Sequence, residues 1–242
     1  MSKGRQLTNI LEPSNAGRNW LLNIFTNRVV RQLESRVPLR VGVVGGTKSE
    51  PEIRELSKFA NNIEIQTIGI EESDYYLDLN LTKGITVAER FDLVLCSQVF
   101  EHVWNQRNAF DALYKLVTPG GILWLNTPAS NRVHGSPDYF SAGFTNSYLE
   151  RNLHLVGFEV IDSGSIGTKR NYIATHLLPY WLSVNSHRFP LLYIRYNTGK
   201  FKNSMLFLRY FFVLLRLQFT SKRIHNSGPY LTESWVVAKR PT

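Results

Sequence analysis

Hydrophobic positions change period several times along the chain, and each change marks an element. In residues 14–36, Leu21, Phe25, Val29 and Leu33 recur every four residues, one stripe of an amphipathic helix. Ser14 is the expected N-cap and Pro38 the stop. Residues 39–44 (LRVGVV) are an apolar run of strand length that ends at Gly45-Gly46. A second helix is expected from Pro51 to Asn61, with Ile53, Leu56 and Ala60 on one face. Residues 63–70 then read as a strand, and Tyr75–Leu77 as a very short third strand before Asp78.

The alternation continues beyond residue 90. Residues 91–96 form a strand, and a helix near 106–117 buries Ala109, Leu113 and Leu116, with Phe110 and Val117 alongside. Thr118-Pro119-Gly120-Gly121 is a helix stop and turn, followed by a strand at Ile122–Asn126. Residues 127–147 are polar and punctuated by Gly and Pro, the signature of a long loop. Tyr148–Val156 is expected as a helix, Gly157–Ser163 as a strand and Ser234–Lys239 as the final strand. Strands alternating with helices predict an α/β fold built on a doubly wound, mainly parallel sheet. The chain divides into an N-terminal helical segment (1–38), a core (39–167), a helical insertion (168–228) and a last strand with its tail (229–242).

Composition narrows the class. Hydrophobic residues make up 43% of 242, enough for a large core, which excludes disorder. The single cysteine, Cys96, sits in an apolar strand, so it reads as a core residue in a reducing, cytoplasmic setting. Lys3 and Arg5 are not followed by an apolar stretch of signal-peptide length, and no run of about 18 apolar residues occurs. The net charge of +9 is uneven. Residues 168–242 hold 12 Lys/Arg against Glu233 alone, a local net charge of +11, whereas residues 1–167 are slightly acidic. The C-terminal third is therefore where an anionic partner would be met.

In a doubly wound sheet, ligands bind beyond the carboxyl ends of the strands where strand order reverses. The expected first strand ends in Gly45-Gly46-Thr47-Lys48, the second in Gly69-Ile70-Glu71, the third in Asp78-Leu79 and the fourth in Ser97-Gln98. Glycines at the first position let backbone approach a cofactor closely, and a carboxylate at the second commonly accepts both ribose hydroxyls of an adenosine.

These strand ends, with FDLVLCSQVFEHV (91–103) and LVTPGGILWLNTP (116–128), resemble the class I S-adenosylmethionine-dependent methyltransferases, particularly type 11/12-like enzymes of sugar and glycan biosynthesis. The resemblance implies a Rossmann-like fold and S-adenosyl-L-methionine as cofactor. It implies Gly45 and Gly46 beneath the methionine part, Glu71 on the ribose, Asp78 on the adenine amino group, Leu79 packing nearby, and Ser97 on the methionine side. Three departures stand out. Val43 occupies the place, two residues before the first glycine, where the family usually carries an acid. Thr47 or Lys48 replaces its last glycine, and only seven residues separate Glu71 from Asp78, leaving no room for the usual helix.

Methyl transfer to a hydroxyl requires alignment and removal of a proton. His102 directly follows Glu101 after the fourth strand, and His134 lies in NRVHGSPDYFSAGF, which resembles an acceptor-reaching loop of sugar-modifying relatives. His134 is the first choice for a general base, with His102 and Asp138 as further candidates and Tyr139 orienting the acceptor. No Asp/His cluster has metal-ligand spacing, so no metal is expected.

Within the insertion, Lys202, Arg209, Arg216 and Arg223 recur every seven residues amid Met, Leu, Phe and Val. On a helix this is a narrow basic stripe on a broad apolar surface, suited to a membrane interface at its inner face, to the protein's own sheet or to a second subunit. Tyr172 to Pro190 is expected to cap the acceptor cleft, with Trp181 stacking on a sugar or lying in the core.

The reading that follows is methyl transfer to an oxygen or nitrogen of a sugar or glycan precursor, with an anionic nucleotide- or lipid-linked acceptor. RNA or another small-molecule methylation, and a noncatalytic membrane-associated protein of the same fold, are the alternatives. A nicotinamide dehydrogenase is disfavoured because G-x-G-x-x-G is absent after the first strand.

Overall fold

The computed structural model describes residues 13–33, 38–60, 62–81, 89–131, 133–167, 172 and 231–242. The basic helix expected at 202–223, Trp181 and the rest of the cap beyond Tyr172 lie outside these residues. In chain order the elements are α1 (Pro13–Arg28), β1 (Leu39–Val44), α2 (Pro51–Leu56), β2 (Ile63–Gly69), β3 (Tyr75–Tyr76), β4 (Phe91–Ser97), α3 (Gln106–Leu116), β5 (Val117–Pro128), α4 (Asn146–Leu155), β6 (Glu159–Ile166) and β7 (Glu233–Lys239). Short 3₁₀ turns at Val30–Gln32 and Phe100–His102 follow α1 and β4.

The chain falls into two compact units. Leu21–Ser165 with Glu233–Thr242 carries the sheet and both histidines discussed below. The other comprises Met1–Trp20 with Ile166–Thr232; there the Thr232 N–H and hydroxyl both donate to the Ile166 carbonyl.

Seven strands lie in the order β3-β2-β1-β4-β5-β7-β6. Pairing from β3 to β5 is parallel, and β7 runs antiparallel to β5. Parallel strands covered on both faces require continuous apolar runs, and β4 and β5 supply them. Leu93, Val94, Leu95, Cys96, Leu123, Trp124 and Leu125 are all buried. Burial, reinforced by the Glu101 carboxylate, pushes the Cys96 thiol far above its ordinary pKa, consistent with a packing role.

Leu21, Phe25, Val29 and Leu33 are all buried as the stripe predicts, but the helix ends at Arg28 and the last two flank the 3₁₀ turn that follows. Phe25 sets its ring edge-on to Trp124 with centroids 5.6 Å apart, and Trp124 stacks with Trp235 of β7. Several boundaries differ from expectation. Helix α1 starts at Pro13, so Ser14 is its second residue rather than its cap; the fixed φ of proline suits a first helical position. Helix α2 ends at Leu56 and continues only as a turn.

A further difference concerns Thr118–Gly121, which lies within β5 and keeps a local kink, Gly120 having φ +75, instead of separating helix from strand. Val117 pairs with Phe91, the Thr118 hydroxyl donates to the Phe91 carbonyl, and Gly120 and Gly121 exchange hydrogen bonds with Arg240. The register slips between Phe91 and Leu93 to absorb the extra residues. Strand β6 likewise begins only at Glu159, because the Gly157 N–H still closes α4 through the His154 carbonyl.

Phe25→Ala removes a fully buried ring wedged against Trp124. It is expected to destabilise the fold by about 3–5 kcal/mol in urea-unfolding experiments. A loss below about 1 kcal/mol would show that the ring is not a core contact.

Candidate active site

Strand order reverses between β1 and β4: the chain leaves β1 toward β2 and leaves β4 toward β5. The crevice beyond their carboxyl ends is where such a sheet binds ligands. Gly45 follows β1 with φ +66, its N–H donating to the Ile68 carbonyl, and a Cβ there would meet Val99 Cγ2 at 2.6 Å. Only glycine fits, which keeps the floor of the crevice bare backbone.

Ser97, at the end of β4, donates its hydroxyl to Glu52 Oε1 (3.1 Å) and accepts from Asn126 Nδ2 (2.7 Å). The chain of bonds continues through Gln98, whose Nε2 donates to Asn126 Oδ1 and to Glu233 Oε2. Gln98 itself sits at φ +57. Sequence reasoning assigned no role to Glu52, Asn126 or Gln98. Glu52 follows Pro51 in the first turn of α2, a position that reads as ordinary helix chemistry.

The residues expected to meet the adenosine lie past β2 and β3. Glu71 is exposed just past β2. Asp78 Oδ1 accepts the Asn80 N–H at 2.8 Å, and Leu79 is buried. Asn80 Oδ1 accepts from the Trp104 and Asn105 N–H groups, and Asn108 Nδ2 donates to the Leu79 carbonyl. These bonds fasten the Asp78–Leu79 turn to the segment after β4.

Parallel neighbours normally need a crossover of a dozen or more residues, yet residues 70–74 alone join β2 to β3. Side chains replace the missing helix. Asp74 Oδ2 accepts the Thr67 N–H (2.8 Å) and hydroxyl (3.1 Å), and Lys48 lies 2.9 Å away. The Lys48 hydrogen bond, then that of the Thr67 N–H, lowers the Asp74 carboxyl to about 2.

On the opposite side of the crevice, the 129–145 loop is tied at its neck and to the turn after β4. Phe144 N–H donates to the Pro128 carbonyl, and the Phe140 and Ser141 N–H groups donate to the Glu101 carbonyl. The ties bring His134 to His102, ring centroids 4.9 Å apart and nearly perpendicular. Tyr139 lies 4.9 Å from His134 and 6.0 Å from His102 by the same measure. Burial, then the Glu101 charge, raises the Tyr139 hydroxyl above its ordinary pKa, and that hydroxyl donates to the Asn131 carbonyl.

His102 Nδ1 meets the Asp138 backbone carbonyl. A carbonyl only accepts, so Nδ1 carries the proton and Nε2 is the basic nitrogen of the neutral ring. Asp138 thus contributes its backbone here, while the residue is exposed. Gly135 has φ +61, and a Cβ there would sit 3.1 Å from His102 Cε1, so the loop closes on the ring only with glycine. Glu101, His102 and His134 also place one donor atom each within 4.8 Å of the others, a spacing that a metal ion could bridge. The separation of His134 from Glu101-His102 in sequence hid this grouping.

The sheet order is that of a class I, Rossmann-like methyltransferase fold. A methyltransferase-domain family matches residues 8–166, and the chain belongs to that family. It is 27% identical over 178 residues to the ubiquinone biosynthesis O-methyltransferase of Psychrobacter arcticus, covering 63% of this chain and 68% of that one. It is 28% identical over 125 residues to the enzyme of the same name from Cereibacter sphaeroides, covering 48% of this chain and spanning about half (51%) of that relative. Among solved structures, the [4+2]-cyclase SpnF superposes with TM-score 0.52 at 15% identity, over 90% of this chain and 80% of that one. A coclaurine N-methyltransferase bound to N-methylheliamine and SAH superposes with TM-score 0.50 at 12% identity, over 90% and 72%. The structural likenesses bear on the fold. The protein is an S-adenosylmethionine-dependent methyltransferase. No helix among the described residues is long and apolar enough to cross a membrane.

Asp74 yields a pH test. Its folded-state pKa is depressed, so its contribution to stability is full above the ordinary value near 4 and fades as pH falls toward about 2. Asp74→Asn is expected to lower the melting temperature at pH 7, and the gap from wild type should close by pH 2. A pH-independent gap would show that the carboxylate charge is not what Lys48 and Thr67 hold.

Proposed function

We propose that the protein methylates a hydroxyl oxygen of a small-molecule acceptor that enters beside the 129–145 loop, with a histidine taking the proton. The observation that carries this reading is the meeting of His102 with His134 at the mouth of the crevice. Both relatives are O-methyltransferases by name, which favours oxygen over nitrogen. A sugar or glycan precursor is the narrower form of the reading. It rests on the loop around His134 and draws no support from those relatives.

S-adenosylmethionine, when bound, supplies an electrophilic methyl group on a positively charged sulfur. Gly45 and Gly46 admit its methionine part, Glu71 receives the ribose hydroxyls, and Asp78 with Leu79 receives the adenine. Ser97 lines the methionine side. The protein's remaining task is to hold the acceptor oxygen in line and remove its proton. His134 was the base expected from sequence. The geometry favours His102, because the Asp138 carbonyl fixes its tautomer with Nε2 free to accept. His134 and Tyr139 then flank the acceptor.

His102→Ala is expected to lower kcat by about 10²–10⁴-fold, the usual worth of a general base, while leaving S-adenosylhomocysteine affinity within twofold. His134→Ala should act mainly on acceptor KM. Full turnover by His102→Ala, with turnover lost in His134→Ala, would return the role to His134. The acceptor class is read by radiolabelled methyl transfer to a panel of phenols, sugar nucleotides and amines. Transfer to amines alone would overturn the hydroxyl reading.

The basic stripe Lys202, Arg209, Arg216 and Arg223 is placed, as part of the same reading, against an anionic acceptor or the lipid surface that carries one. The protein is expected to float with liposomes containing anionic lipid, and Arg209→Glu with Arg216→Glu to abolish this. A wild-type protein that never floats would rule out the lipid surface.

A further inference from the structure

The strand that usually supplies an acid to this site supplies Val43, and the crevice nevertheless contains a buried carboxylate. The pocket beyond β1 and β4 is lined by Val43, Val44, Gly46, Glu50, Glu52, Leu95 and Ser97. Glu52 is 8% exposed. Its Oε1 accepts the Ser97 hydroxyl, and its other oxygen has no hydrogen-bond partner among the described residues. No lysine, arginine or histidine pairs with it there. The oxygen that Ser97 does not hold is the acceptor that this pocket offers to a cation. Glu50 is differently placed: it is less buried, and its Oε1 already takes the Thr47 N–H.

We infer that Glu52 is a cofactor-binding residue that receives the α-ammonium group of S-adenosylmethionine, replacing from helix α2 the acid missing from β1. The inference rests on the methyltransferase reading and extends it to one atom pair. Its direction follows from the crevice. The adenosine contacts, Glu71, Asp78 and Leu79, belong to the ends of β2 and β3, while Glu52 faces Ser97 on the β4 side of β1. A ligand laid across β1 with its adenosine over β2 and β3 brings its amino-acid end to Glu52. Ser97 then acts as a brace: by donating to Oε1 and accepting from Asn126, it holds the carboxylate in one orientation. Pro51 starts the helix one residue earlier, fixing the backbone from which Glu52 projects.

The test separates the amino-acid end of the ligand from the adenosine end. Calorimetry on the full chain compares S-adenosylhomocysteine with 5′-methylthioadenosine, which keeps the adenosine and thioether but lacks the ammonium and carboxylate. A desamino analogue of S-adenosylhomocysteine isolates the ammonium itself. Glu52→Gln is expected to weaken S-adenosylhomocysteine by about 10–100-fold, the worth of a charge-assisted bond, and to leave 5′-methylthioadenosine within twofold. The desamino analogue should bind wild type and Glu52→Gln alike. Glu52→Asp, which keeps the charge, should retain most of the affinity and serves if Glu52→Gln does not fold. Unchanged S-adenosylhomocysteine affinity in Glu52→Gln overturns the assignment, as does an equal loss for both ligands, which would mark a structural role. Wild type that binds none of the three compounds overturns the cofactor site itself, a result distinguishable from either.

Discussion

Everything in the site depends on β4 being held in parallel register between β1 and β5. Val41–Val44 align with Leu93–Cys96, and Leu93–Ser97 with Ile122–Asn126, so the carboxyl ends of the three strands lie within a few residues of one another. Because the chain leaves β1 and β4 in opposite directions along the sheet, a crevice opens there. The register decides which polar side chains meet there. Ser97 stands beside Asn126 because those positions are paired, and β7, antiparallel to β5, brings Glu233 within reach of Gln98. A slip of one residue would turn Ser97 and Asn126 to the opposite face and bury Cys96 in the wrong layer.

The segment after β4 is tied to both sides of the crevice. Its Trp104 and Asn105 N–H groups hold Asn80 beside the Asp78–Leu79 turn, and its Glu101 carbonyl anchors the loop that carries His134. His102 lies between these attachments. In the proposed reading, this one short 3₁₀ turn sets the distance between methyl donor and acceptor, the quantity on which an in-line displacement depends most steeply. A rigid strand pair on either side makes that turn a fixed reference.

The sheet was largely legible in the sequence because its signals are local. Apolar runs of strand length, a four-residue stripe in α1 and the glycine pair after β1 require no knowledge of the partner strand. Thr118–Gly121 was only partly read for the same reason: Pro-Gly-Gly signals a bend, which Gly120 keeps, and only pairing with Phe91 and Arg240 takes the segment into the strand. The site was legible at its strand ends and illegible in its pairings. His102 and His134 are each visible, but their contact follows from the Glu101 carbonyl gripping Phe140 and Ser141. Asp74 looks like a loop acid until Thr67 and Lys48 are seen around it. Glu52 resembles any first-turn glutamate until Ser97 turns toward it.

The eroded glycine motif illustrates how a site survives the loss of its signature. The motif usually joins a bare turn for close approach to an acid two residues before its first glycine. Here the two are separated. Gly45 keeps the bare turn, since Val99 leaves no room for a side chain. The Lys48–Asp74 pair holds the turn against the β2–β3 link in place of a further glycine and an intervening helix. A carboxylate is still present, on α2 rather than β1. The same fold in a cyclase shows that architecture alone does not choose a reaction. What distinguishes this crevice is the chemistry gathered at its rim: carboxylates along the donor side, where a cationic sulfur must be tolerated, and paired imidazoles on the acceptor side, where a proton must leave. That division of charge across one short turn is the physical content of the functional reading, and it does not depend on any single motif being intact.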